Sequence, residues 1–394
     1  MIDFHAAAAT LAPDLIAWRR DFHRHPELGF QEVRTAGIVA AHLRGLGIET
    51  STGVGQTGVV GVIEGRGPGP TLLLRFDMDA LPVTEETGLS FASLHPGRMH
   101  ACGHDGHTAI GMGVATLLAQ SSQTWPGRVK LIFQPAEEGL GGALAMVRDG
   151  VLEQPAPDAA LALHLWNAHP SGVVYAQAGP LMAAADRFSV EISGRGGHGA
   201  EPHTTIDALF VAVQAITALH SIVSRNVPPL ATAVLSVGSL HSGEAFNVIA
   251  ERAQFTGTLR TFDPAIRALL IRRMEEVLAG VTAAHGATYT LALADHTPAV
   301  INDPALAALA AQAAAALLGP AQMQTAPPLM VAEDMADIFQ RVRGCYLLVG
   351  AAPPGGARGG HHSPRFDFDE AMLPVAAGLL TAAAVAYLHT PPSS

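Results

Sequence analysis

Val129-Lys130-Leu131-Ile132-Phe133 runs directly into Gln134-Pro135-Ala136-Glu137-Glu138-Gly139. A continuous apolar run of this length is the pattern of a strand buried on both faces, as in a parallel sheet. The turn that ends it carries two adjacent carboxylates. Comparable runs lie on either side. Thr71-Leu72-Leu73-Leu74-Arg75-Phe76 leads into Asp77-Met78-Asp79-Ala80-Leu81-Pro82, residues 159–165 hold His164 near their end, and Cys345-Tyr346-Leu347-Leu348-Val349 is followed by a Gly/Pro loop and His361-His362-Ser363-Pro364. Helical patterns separate them: residues 11–25, stopped by Pro26; residues 31–46, ended by Gly47; a small-residue stretch over 105–120; an alanine-rich one opened by Asp303-Pro304; and a terminal one from Glu370. Strands alternating with helices predict an α/β domain. Residues 59–63 form a further strand, and the Gly/Pro cluster at 65–70 is expected to join it to 71–76 as a hairpin-like turn.

The character of the chain changes near Ala183-Ala184-Ala185-Asp186. Residues 187–194 alternate as a half-exposed strand does. A helix is expected over 204–223 with Thr204 and Asp207 as a capping box, then strands at 231–239 and 255–261, a helix started by Asp263-Pro264, and a strand at 288–294. Strand-helix-strand-strand-helix-strand is the order of a ferredoxin-like α+β unit. Residues 186–295 are therefore expected to be an inserted second domain, with 1–185 and 296–394 forming one discontinuous α/β domain around a central sheet. Two domains are the ordinary outcome for 394 residues.

Hydrophobic residues make up 49% of the chain and charged ones 14%, which describes a folded globular protein. A formal net charge of −11 argues against nucleic acid or an anionic membrane as partner, since both reward basic patches. Cys102 and Cys345 do not make a disulfide framework. The Ala6–Ala9 run is flanked by Asp3, His5 and Asp14, unlike a signal peptide. No stretch reaches about 20 apolar residues free of Gly, Pro and charge, so a cytoplasmic location is expected.

The densest chemistry lies in Met99-His100-Ala101-Cys102-Gly103-His104-Asp105-Gly106-His107. Alternate residues of an extended segment face one side, so Cys102 and His104 can put two ligand atoms on one ion. A loop with a buried cysteine and solvated histidines is the bland alternative, and a cysteine nucleophile with a histidine base is another. Taken singly, Glu137-Glu138 reads as a solvated acidic pair, His164 as a core histidine and His361-His362 as part of a Gly-rich loop. Together with Cys102/His104 they fall just past apolar strands or beside them, where sites in open α/β sheets gather. Their S, N and O donors suit Zn, Mn, Co or Ni without choosing among them.

The motifs 77–82, 99–107, 134–139, Gly194-Arg195-Gly196-Gly197-His198-Gly199-Ala200-Glu201-Pro202-His203 and His362-Ser363-Pro364 resemble those of the M20 metallopeptidase family. Within it they are similar to the amidohydrolase branch of hippurate hydrolase, N-acyl-amino-acid deacylases and plant auxin-conjugate hydrolases. The resemblance covers nearly the whole chain, in order. It implies an α/β catalytic domain with a mixed central sheet, two divalent metal ions per subunit, and an inserted dimerisation (lid) domain, so that a homodimer or dimer of dimers forms through 186–295. Carried over by position, it implies Cys102, His104, Glu138, His164 and His362 as metal ligands and Glu137 as general base. His198 would stabilise the oxyanion in the partner subunit's site. Asp79 matches an aspartate that supports the metal site, and Asp77 stands where other branches have a ligand histidine. Asn247, Arg260 and His203 are implied substrate contacts, with Arg260 holding an α-carboxylate. Glu333-Asp334 also match. The implied activity is hydrolysis of N-acyl-L-amino acids to a carboxylate and a free amino acid. A dipeptidase or carboxypeptidase on the same site is the near alternative; a metal-free cysteine amidase and a non-catalytic ligand-binding protein are remote ones.

Overall fold

In the computed structural model, which describes residues 2–392, the chain forms two units: residues up to Leu181 with Ile301–Pro327 and Asp334 onward, and Met182–Val300 with Pro328–Glu333. The first unit begins with α1 (Phe4–Thr10), α2 (Ala12–Arg24), α3 (Val33–Gly45), β1 (Glu49–Val54), β2 (Gly58–Glu64), β3 (Thr71–Asp77), α4 (His104–Ser121), β4 (Arg128–Gln134), α5 (Gly142–Arg148), β5 (Ala159–Trp166) and β6 (Val174–Tyr175). A short β7 (Gly179–Met182) precedes the second unit. That unit holds β8 (Ala184–Ser193), β9 (Gly197–His198), α6 (Ala208–Leu219), α7 (Ser221–Asn226), β10 (Ala233–Ser242), β11 (Val248–Ile249), β12 (Arg252–Thr261), α8 (Pro264–His285) and β13 (Thr288–Thr297). After β14 (Val300–Asn302) the first unit resumes with α9 (Pro304–Leu318), β15 (Met323–Gln324), α10 (Met335–Phe339), β16 (Gly344–Gly350) and α11 (Met372–His389).

The first unit is organised on one mixed sheet in the order β1-β2-β4-β3-β5-β16-β6-β15. Its centre, β4-β3-β5-β16, is parallel, and β3 and β16 are buried along their full lengths. Leu72, Leu74, Leu131, Phe133, Leu161 and Leu347 pack there with Ile110 and Val114 of α4 and Leu380 of α11. Because these four strands run the same way, their carboxyl ends share one edge of the sheet.

Two expectations change. The 65–70 turn does not close a hairpin: β4 lies between β2 and β3, pairing antiparallel with the first and parallel with the second. The partner that does pair with β2 as a hairpin is β1, whose Glu-Thr-Ser-Thr-Gly-Val sequence is too polar to read as a strand. In the second unit the long helix starts at Asp207, whose side chain accepts from the Phe210 N–H, while residues Pro202–Thr204 form a 3-10 turn. The Asp-Pro starts of α8 and α9 are as expected, each with its Asp side chain capping the helix.

The second unit has a four-stranded antiparallel sheet in the order β10-β12-β8-β13. Phe188, Val190, Ile192, Phe255 and Leu259 pack on Val211, Leu219, Leu270 and Met274 of its helices. A small β9-β11 hairpin pairs Val248 with His198. α11 and residues 208–226 are long and apolar enough to cross a membrane. α11 is a core helix, with Leu373, Leu379, Leu380 and Ala384 fully buried.

Candidate metal centre

Each strand of the parallel centre delivers part of one cluster. β3 ends at Asp77 and leads to Asp79, β4 leads to Glu137 and Glu138, β5 carries His164 opposite Leu348, and the loop after β16 carries His361 and His362. α4 supplies the rest. Its N-cap, Gly103, has φ +93°, a left-handed turn that glycine adopts without strain and that sets Cys102 and His104 on either side of the helix start. The ligand atoms of Cys102, His104 and Glu138 lie within 4.8 Å of one another. Cys102 also belongs to a second set with His164 and His361; its Sγ is 3.5 Å from His164 Nε2.

The histidine tautomers follow from their partners. His104 Nδ1 faces the Asp79 carbonyl at 3.0 Å and Asp79 Oδ1 at 3.2 Å, so it carries the proton, and Nε2 is buried without a hydrogen bond. His164 donates from Nδ1 to the Leu165 carbonyl at 2.8 Å, leaving Nε2 toward Cys102. His362 Nε2 lies 3.2 Å from Glu138 Oε1, an oxygen that also stands 4.0 Å from His104 Nε2 and makes no well-angled hydrogen bond. His107, though within reach of His104 and His164, is already committed: Nδ1 meets Asp77 Oδ1 at 2.6 Å and Nε2 accepts from the Leu165 N–H at 2.9 Å.

The electrostatics favour a cation. Burial, then the Glu138 carboxylate, push the Cys102 thiol well above its usual range. This is the reverse of what a cysteine nucleophile requires. Burial disfavours charge on His104, yet Asp77 and the Asp79 hydrogen bond hold its pKa well above that of a free imidazole. The His104 shift, raised against burial, reports negative charge in a buried place, the field a divalent ion satisfies. Burial and the neighbouring His107 and His361 keep His164 neutral, the state that ligates. A sulfur, imidazole nitrogens with fixed tautomers and a carboxylate, with His104 Nε2 otherwise orphaned, fit a borderline divalent metal.

Beneath the donors lies a chain of buried bonds that the sequence pattern does not announce. Arg75 bonds Asp77 at 2.5 Å, Gln134 at 2.8 Å and Asp334 at 3.0 Å. Asp334 also accepts from Gln134 Nε2 at 2.7 Å and the Ala143 N–H at 2.9 Å, and its own N–H approaches Glu137 Oε1 at 3.4 Å. Asp79 does two jobs at once, orienting His104 and accepting from the Glu138 N–H at 3.0 Å. The only available signal for this network was charge inside apolar strands, as at Arg75. His361, beside the expected ligand His362, is brought to Cys102 and His164 and stacks on Trp166 at 4.2 Å.

His198, His203, Asn247 and Arg260 belong to the second unit. The Gly199 N–H donates to the Asn247 carbonyl at 2.8 Å, which sets Asn247 beside His198 at the β9-β11 hairpin. His203 is exposed on the adjoining 3-10 turn. Arg260 is not with them. It pairs with Ala185 near one end of β12, while Arg252 pairs with Ser193 at the other, a separation of roughly 25 Å at about 3.3 Å per residue. Arg260 is half-buried, and its nearest acid, Asp186, is taken by Arg267 at 2.6 and 2.8 Å.

Residues 73–386 match the family described as Peptidase family M20/M25/M40. This chain belongs to that family. It is a hydrolase of amide bonds, and its family is metal-dependent. An N-acyl-L-amino acid amidohydrolase of Geobacillus stearothermophilus is 45% identical over 277 residues, 70% of this chain and 74% of that one. Thermostable carboxypeptidase 1 of Saccharolobus solfataricus is 37% identical over 368 residues, 92% of each chain. Among solved structures, the Bacillus subtilis YxeP protein, described as a dinuclear metal binding peptidase from the M20 family, is 36% identical with a TM-score of 0.86, covering 97% of this M20 chain and 99% of that one.

Proposed function

We propose that this M20 hydrolase cleaves the amide of N-acyl-L-amino acids, releasing a carboxylate and a free amino acid. The observation that carries the assignment is the meeting of Cys102, His104 and Glu138 within 4.8 Å beside Glu137, with His104 Nε2 buried and unbonded. Cys102, His104, Glu138, His164 and His362 would hold two divalent ions of the Mn, Zn, Co or Ni group. A divalent ion there supplies Lewis acidity toward water and the scissile carbonyl. Glu137 takes the proton of the attacking water and delivers it to the amine nitrogen as the C–N bond breaks. Asp79 fixes the His104 tautomer. His198 donates to the carbonyl oxygen as negative charge develops on it, Asn247 and His203 contact the substrate, and Arg260 pairs with its α-carboxylate.

Several observations support that division of labour. Arg260 is a half-buried guanidinium whose nearby acid is already paired, so a substrate carboxylate suits it. Arg260 and His198 lie too far apart in one copy for a single small acyl amino acid to touch both, which supports a site completed by a second subunit. The second unit is read as the ferredoxin-like lid through which subunits associate. Leu209, Phe210 and Val213, exposed along one side of α6, supply an apolar face for that contact. The similarity to an N-acyl-L-amino acid amidohydrolase favours acyl amino acids, and that to a carboxypeptidase keeps peptide substrates as the second reading.

Glu137→Ala tests the assignment. The expected outcome is a fall in kcat of roughly three orders of magnitude or more with metal content unchanged; turnover within tenfold of wild type removes Glu137 from its role. Steady-state rates on N-acetyl and N-benzoyl amino acids, set against dipeptides, separate the two substrate classes.

A further inference from the structure

We propose that Arg19, which is not itself a ligand, is a positioning residue of the metal centre: it ties the helix turn carrying His104 to the C-terminal segment carrying His362. The proposal rests on the metal-centre assignment above.

Arg19 lies on α2 and is fully buried. Its three nitrogens reach three different carboxylates: Nε to Asp105 at 2.9 Å, Nη2 to Asp367 at 2.8 Å and Nη1 to Glu370 at 3.0 Å. Its guanidinium carbon sits 4.6 Å from the centre of the Phe91 ring and 4.3 Å from that of Phe368. Asp105 directly follows His104, and Asp367 follows His362 by five residues. One planar group therefore joins two segments from opposite ends of the first unit's sequence, each bearing an assigned ligand.

The joint is made tighter by its surroundings. His23 Nδ1 also meets Asp105 Oδ2, at 2.8 Å. Phe368 closes on α4 so tightly that a Cβ at Gly106 would stand 2.6 Å from its ring. Asn167, just past β5, donates to the Gly359 carbonyl at 2.9 Å and the Asp367 carbonyl at 3.0 Å. The His362 N–H donates to the Ala101 carbonyl at 2.7 Å. The His362 side chain itself is 55% exposed and sits at φ +66°. An exposed ligand on an irregular loop takes its position from the segment around it. Arg19 is the buried group that holds this segment against α4.

A residue that merely stabilises the fold affects unfolding; a residue that positions ligands affects metal affinity in the folded protein. Full-length wild type, Arg19→Met, Arg19→Lys and Asp367→Asn are loaded with Zn(II), and zinc release is measured against a chromophoric chelator, alongside circular dichroism and thermal melting. Arg19→Met is expected to bind zinc about 10- to 100-fold more weakly, the range for lost support of a metal ligand. Arg19→Lys should not recover it, because an ammonium cannot serve three carboxylates in one plane. Asp367→Asn leaves the Arg19–Asp105 bond in place; it should melt with wild type yet lose about 3- to 10-fold in zinc affinity. Hydrolysis by the folded variants should return toward wild type at saturating metal. Folded Arg19→Met with zinc affinity within twofold of wild type overturns the proposal. Should Arg19→Met fail to fold, an unchanged affinity in Asp367→Asn overturns it equally. Wild type that takes up no zinc or manganese overturns the metal-centre assignment, and this proposal with it.

Discussion

Asp79 and Lys130 are both charged residues buried beside apolar strands, yet they answer to different physics. Asp79 is surrounded by groups it can serve: a ligand histidine through one oxygen, the Glu138 N–H through the other. Asp79→Asn keeps the shape but weakens the tautomer preference of His104, and metal affinity should fall about 10- to 100-fold in a chelator competition. Lys130, the single lysine of the chain, is buried with its ammonium donating to the Val151 carbonyl at 2.7 Å. Burial lowers its pKa from 10.5 to about 8. A depressed lysine pKa means the unfolded chain binds the proton more tightly. The destabilising contribution is thus fully present below pH 8 and disappears as pH rises toward 10.5. Lys130→Met should accordingly be more stable than wild type at pH 7, and the gap in urea midpoint should narrow by pH 10; a gap independent of pH would show that the ammonium carries no burial penalty.

At the scale of elements, α4 shows how packing and chemistry share one helix. It is buried nearly all round and rich in small residues, the sequence form of a helix that can enter a core on every side. Gly106→Ala puts a methyl 2.6 Å from Phe368 and 3.0 Å from Leu165, and should cost about 1–3 kcal/mol despite alanine's better helix propensity. Gly37→Ala on the exposed side of α3, where nothing lies within 4 Å, should instead stabilise by up to about 1 kcal/mol. Paired thermal melts check both. The parallel strands and their loaded carboxyl ends were legible because burial on both faces leaves an unbroken apolar run, and Asp-Pro helix starts were legible because the cap is local. β1 was not, since an edge strand with polar residues carries no such signature, and the order of β2, β4 and β3 is a long-range choice that no local turn reveals. In the site, the donors were visible as residue types. The Arg75–Asp77–His107 support and the Arg19 clamp were not, because each joins residues far apart in sequence through side chains that look ordinary alone.

In the proposed mechanism, whole-molecule assembly matters because a second subunit brings His198 to each site. Phe210→Asp on the exposed face of α6 should shift sedimentation toward monomer and cut turnover at low protein concentration while leaving metal content intact; a fully active monomer would remove the second subunit from the mechanism. Dependence of hydrolysis on bound metal is decided by one reconstitution. Purified protein is stripped with chelator and assayed for release of free amino acid from N-acetyl and N-benzoyl amino acids, before and after addition of Mn(II), Zn(II), Co(II) or Ni(II). Stripped protein should show no turnover, and at least one of these ions should restore it. Full turnover after verified metal removal would overturn the metal-dependent mechanism and return Cys102 to consideration as the nucleophile.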